Sequence, residues 1–109
     1  MSKFEMYKDA SGQFRFRLKA GNGQNILSSE AYTSKASCQN GIASVKKNST
    51  EDSRYDRLEA KSGKSYFNLK SGNGQVVGTS QQYASASSME AGIDSVKNNA
   101  GNADISDLT

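Results

Sequence analysis

Shifted against itself by 51 positions, the chain matches without a gap, and half of the positions from Ser11 to Asn48 are identical to their partners. A chain made of two copies of one short unit has few ways to fold. The register is set by Gly21-Asn22-Gly23-Gln24 against Gly72-Asn73-Gly74-Gln75. Upstream, Ser11-Gly12, Phe16 and Leu18-Lys19 meet Ser62-Gly63, Phe67 and Leu69-Lys70. Downstream, Ser29, Tyr32, Ser34, Ser37, Gly41-Ile42 and Ser44-Val45-Lys46 meet Ser80, Tyr83, Ser85, Ser88, Gly92-Ile93 and Ser95-Val96-Lys97. The first repeat covers residues 1–51. The second covers 52–109 and carries an added C-terminal segment.

The pattern inside each copy changes period once. Phe4-Glu5-Met6-Tyr7 and Tyr55-Asp56-Arg57-Leu58 read as first strands, each followed by a Ser-Gly turn. In the second strand Phe14, Phe16 and Leu18 alternate with Arg15, Arg17 and Lys19, which places apolar groups on one face and cations on the other. Such a sheet has one buried face and one wet one. Gly-Asn-Gly then supplies residues tolerant of positive φ, and a primed two-residue turn is expected there. The third strands are Asn25-Ile26-Leu27-Ser28 and Val76-Val77-Gly78-Thr79. After Tyr32 and Tyr83 the period becomes helical, with Ser34 and Ser85 as N-caps. Cys38, Ile42 and Val45 share one helix face, as do Met89, Ile93 and Val96. Lys46-Lys47-Asn48 and Lys97-Asn98-Asn99 suit helix ends.

About 50 residues bury too little surface to be stable alone, and each copy would leave a sheet edge open. One sheet shared by both copies answers both problems. Ile105-Ser106-Asp107-Leu108 resembles the first strands, as if a third copy had begun, and reads as a closing strand.

Gly12, Phe16-Arg17-Leu18-Lys19, Gly21-Asn22-Gly23, Ser29, Tyr32, Ala36, Asn40-Gly41-Ile42 and Ser44-Val45-Lys46-Lys47-Asn48 resemble the YegP-like family of uncharacterised bacterial proteins, over nearly the whole chain. The resemblance implies an α+β fold. On that resemblance two tandem β(3)-α-β repeats are expected to form one antiparallel sheet, with both helices on one face and the C-terminal strands exchanged between repeats. The second copy departs from the pattern at Ser65, Val76-Val77 and Ala91. The family brings no known activity, cofactor or catalytic residue.

Composition limits the chemistry. Only 34% of the 109 residues are hydrophobic, so the core is small. Disorder is not expected, because the nine Phe and Tyr residues fall in the periodic segments. One cysteine allows no internal disulfide, and neither a signal-peptide pattern nor a membrane-spanning apolar run is present, which predicts a soluble cytoplasmic protein. The net charge of +3 is uneven: residues 1–48 carry eight Lys/Arg against three Asp/Glu, and residues 49–99 carry six against six.

With no histidine, the usual general base and the usual zinc ligand are both missing, and no conventional catalytic triad can form. Cys38 aligns with Met89, a position that asks for soft apolar volume more than for a reactive thiol. Gly-Asn-Gly stands between two strands and lacks the helix N-terminus of a phosphate loop. Gly41 and Gly92 lie inside helices, where glycine costs about 1 kcal/mol relative to Ala, which predicts a close helix-to-sheet approach and a clash on substitution by Ala. The duplicated serines read as caps and small contacts, and the acidic residues lack the spacing of a metal loop. No catalytic, cofactor or metal site is expected. One surface has functional content: Arg15, Arg17 and Lys19 with Tyr66, Asn68 and Lys70 put cations and an aromatic on the wet face, as single-stranded nucleic acid platforms do. The expected function is a non-enzymatic interaction module, monomeric with pseudo-two-fold symmetry. Its partner would be a protein or, in the alternative, a nucleic acid or ribonucleoprotein bound weakly on that face; no membrane is expected.

Overall fold

The computed structural model describes residues 2–109. Each repeat gives three strands and a helix. The first contains β1 (Lys3–Lys8), β2 (Phe14–Lys19), β3 (Asn25–Ser28) and α1 (Lys35–Asn48). The second contains β4 (Tyr55–Glu59), β5 (Ser65–Lys70), β6 (Val76–Thr79) and α2 (Ala86–Asn99), followed by β7 (Asp104–Asp107). The strands form one sheet in the order β4-β5-β6-β3-β2-β1-β7.

The two repeats meet at β3 and β6, joined in antiparallel register at Ser28 and Thr79, which are themselves equivalent under the 51-residue shift. A pseudo-two-fold axis therefore runs through this pair. Beside it the equivalent residues Leu27 and Gly78 pack together: a Cβ on Gly78 would stand 2.6 Å from Leu27 Cγ. Leucine on one side of the axis fills the room that glycine leaves on the other.

The chain after α1 runs into β4 at one edge of the sheet, and the chain after α2 crosses to the opposite edge as β7. There β7 pairs with β1 in parallel, Phe4 beside Ile105, and the Leu108 amide donates to the Met6 carbonyl at 2.8 Å. The closing strand is thus real, and it is the single departure from an antiparallel sheet. The strand exchange runs one way, because the segment after α1 becomes β4 itself and leaves that edge open.

One continuous core takes Phe4, Met6, Phe16 and Leu18 from the first repeat's strands, Phe67 and Leu69 from β5, and Ile42, Val45, Ile93 and Val96 from the helices. Both helices therefore cover the same face. Ser34 and Ser85 are the N-caps, each accepting at 3.1 Å from the amide three residues on. Cys38 is fully buried, and burial pushes its thiol pKa up.

One expectation needs correction. The Gly-Asn-Gly links are not primed two-residue turns. The Gly23 amide donates to Ala20 O, the Ala20 amide donates to Gln24 O, and only Gly23 of the trio has positive φ, at 84°. This is a three-residue loop, a type I turn closed by a left-handed glycine, and Gly74 repeats it at 85°. It brings a register shift after Leu18 and after Leu69, which turns the adjacent Ile26 and Leu27 both inward and breaks the simple alternation of the third strand. The close helix-to-sheet approach expected at Gly41 is made through side chains. A Cβ there would meet the Tyr32 hydroxyl at 2.5 Å and Phe16 Cε2 at 3.0 Å. Tyr32, bridged to Phe14 at the end of β2 and stacked on Phe16, lies between helix and sheet.

Candidate functional site

The face of the sheet opposite the helices carries the side chains singled out from the sequence. Register places Lys3, Glu5 and Tyr7 of β1 beside Lys19, Arg17 and Arg15 of β2 on this wet side. At its middle Glu5 is only 7% exposed. It accepts from Arg17 Nε at 2.7 Å, with Lys3 Nζ at 3.3 Å and Lys19 Nζ at 3.5 Å. The Arg17 guanidinium hydrogen bond, helped by the two lysines, outweighs desolvation and holds the Glu5 carboxyl at about 2. Arg17 also lies 4.4 Å over the Tyr7 ring. Arg15 donates to Asp9 at 2.9 Å, and that contact, with the Ser11 hydroxyl, holds Asp9 far below the usual carboxylate range.

Tyr66, Asn68 and Lys70 of β5 project on the same side. Lys70 pairs with Asp56 at 2.9 Å, and Asn68 accepts from the Thr79 hydroxyl at 2.8 Å. The structure does not bring this group against the first: β6 and β3 lie between β5 and β2, a separation of roughly 14 Å at the usual strand spacing. The intervening strip holds a shallow polar depression of about 330 Å³ that includes Asn25, Ser28 and Thr79.

The arrangement differs from a bare basic stripe in one chemical respect. Arg15, Arg17, Lys19 and Lys70 each have a carboxylate partner. The face is a fixed pattern of both signs. Sequence reading missed Glu5, which looked like an ordinary outward residue of a first strand. The available signal was its place opposite Arg17 once β1 and β2 are paired as a hairpin. Among the described residues no group of three or more His, Cys, Asp or Glu is placed to hold a metal ion, and no helix is long and apolar enough to cross a membrane.

Fold and surface together define a tandem-repeat α+β protein: a seven-stranded sheet with one face covered by two helices and the other open. Two copies of the family model described as "Domain of unknown function (DUF1508)" match residues 9–56 and 60–107, and the chain belongs to that family of uncharacterised proteins. It is 59% identical over 106 residues to "UPF0339 protein ACIAD0721" of Acinetobacter baylyi, covering 97% of this chain and 96% of that one. To "UPF0339 protein YegP" of Escherichia coli K12 it is 54% identical with the same coverage. The solution NMR structure of UPF0339 protein SO3888 from Shewanella oneidensis superimposes with a TM-score of 0.94 at 48% identity, covering 99% of this chain and 92% of that one. The solution NMR structure of yegP from E. coli also gives 0.94, at 53% identity, covering 99% and 93%. None of these descriptions assigns a function.

Proposed function

We propose that this protein acts by binding and not by catalysis, as a monomeric cytoplasmic interaction module whose contact surface is the wet sheet face of the first repeat. The observation that carries the reading is the Glu5 cluster. A nearly buried carboxylate holding Arg17, Lys19 and Lys3 fixes long, otherwise floppy side chains on an open sheet, so a partner meets a surface already ordered. The mixture of signs fits a protein surface of complementary charge better than a polyphosphate, which would have to compete with Glu5 and Asp9 for the same cations. The lack of histidine and the burial of Cys38 support a non-catalytic role.

Weak binding of single-stranded nucleic acid on the same face is a second reading. It draws on the Arg17–Tyr7 stack and the row of Arg15, Arg17 and Lys19, which offer phosphate contact beside an aromatic. A pull-down from lysate, with and without nuclease, tests both, using the wild-type chain and the Arg15→Ala/Arg17→Ala double variant. Loss of a nuclease-resistant partner in the variant supports the protein reading. Loss of a nuclease-sensitive one, with salt-dependent binding of labelled single-stranded RNA or DNA at about 50 mM salt, supports the other. Equal capture by both chains rules out this face.

A further inference from the structure

Pseudo-symmetry produces a pair of clefts on the helix side of the molecule, each between the helix of one repeat and a hairpin turn of the other. The first, about 650 Å³, lies between α1 and Ser71-Gly72-Asn73. The second, about 290 Å³, lies between α2 and the turn that carries Asn22. Ser44 and Asn73 line the first where their equivalents Ser95 and Asn22 line the second, so one site was duplicated with the fold. The copies have since parted in charge. Lys47 and Arg54 line the first cleft, and the residues 51 positions on are Asn98 and Ile105. No cation lines the second.

Arg54 is held in place. Its Nε donates to Asn48 Oδ1 at 3.1 Å, and a terminal nitrogen lies 3.2 Å from Glu51. Asn48 is 6% exposed and donates in turn to the Ser44 carbonyl at 2.9 Å, which ties the guanidinium to the last turn of α1. Gly72 lies close by: a Cβ there would stand 3.6 Å from the guanidinium, so glycine leaves that approach open. Lys47 forms no ion pair among the described residues, and two cations against Glu51 leave the cleft positive. The held Arg54 guanidinium, the exposed Lys47 ammonium and the hydroxyl and amide donors of Ser44, Asn40 and Asn73 form a donor set for an oxyanion with several acceptor oxygens.

We propose that this cleft binds a small oxyanionic ligand, a phosphate monoester or a carboxylate on a polar molecule of about sugar size, and that the second cleft has lost this capacity. The volume lies within the usual range for small-molecule sites, roughly 300–1,000 Å³. The site lies across the sheet from the surface proposed above and stands independently of it.

The test is an NMR titration of the full ¹⁵N-labelled chain with inorganic phosphate, glucose 6-phosphate and succinate in turn, at constant pH and ionic strength against sodium chloride. Saturable shifts at the Lys47, Arg54, Gly72 and Asn73 amides, with Kd of about 10 mM or tighter and with Asn22 and Ser95 unmoved, are expected for at least one ligand. Response to the two phosphates alone or to succinate alone identifies the oxyanion. Lys47→Asn, which copies the second repeat at an exposed position, weakens that binding about tenfold. Shifts that fail to saturate, shifts equal at both clefts, or unchanged binding in Lys47→Asn overturn the proposal.

Discussion

The two repeats share a backbone plan and differ in what they do with it. Glu5 and Asp56 are equivalent, yet Glu5 is nearly buried beneath three cations while Asp56 pairs with Lys70 alone. The position that is Met6 in the first repeat lies in the core beside β7; in the second it is Arg57, an exposed side chain bound to Glu90 and Asp52. That difference follows from the closing strand. β7 shelters the β1 edge, so an apolar side chain is stable there. The β4 edge has no neighbour, and Arg57 with its acidic partners gives it the charge that discourages pairing with another chain. The two halves share one plan, and the one strand without a counterpart makes their requirements unequal.

The largest effect is expected at the axis. Gly78→Ala puts a methyl 2.6 Å from Leu27 Cγ at a buried position, and should lower stability by about 2–3 kcal/mol in chemical denaturation. Adding Leu27→Ala removes the clash, so the double variant should lose less than the sum of the two singles; strict additivity would show that the packing at the axis is not shared. Next comes Glu5→Gln, which strands three cations around a neutral amide and should cost about 2 kcal/mol, against a few tenths for the solvated Asp56→Asn. Equal losses would break the contrast between the two repeats.

Acid gives the same contrast without mutation. Folding lowers the Glu5 carboxyl from 4.5 to about 2, so its contribution is complete above that ordinary value and drains away as pH falls through the folded one. Wild type should therefore lose its advantage over Glu5→Gln between about pH 5 and pH 2, measured by urea midpoints. A smaller effect than at Gly78 or Glu5 is expected at Gly41→Ala. There the gain in helix propensity, about 1 kcal/mol, offsets part of the clash with Tyr32 and Phe16, leaving a net loss of about 1 kcal/mol. A higher melting temperature in that variant would mean the ring moves aside freely.

What was legible in the sequence was whatever depends on near neighbours along the chain. Period-two alternation in Phe14–Lys19, the helical i, i+4, i+7 spacing of Cys38, Ile42 and Val45, and the Ser34 cap all became the elements they suggested. The 51-residue offset carried the symmetry, and the strand-like tail carried β7. What escaped depends on partners distant in sequence. The burial of Glu5 needs Arg17, Lys19 and Lys3 folded over it. The parallel sense of β7 depends on where α2 delivers the chain. The turn geometry at Gly23 rests on which single residue takes positive φ, and Gly-Asn-Gly offers three candidates. The residues of the candidate surface lie on β2 and β5, but sequence could not show that a carboxylate accompanies each of its cations, or that two strands separate its halves.

The Leu27 and Gly78 pair also bears on why the two repeats share one chain. Two first repeats brought together as a homodimer would press leucine against leucine across the axis, and two second repeats would leave an unfilled hole there. Each half is now shaped to the other and no longer to itself. Separate copies of either repeat would not reproduce this fit, so the linker between α1 and β4 is what keeps the matched halves together.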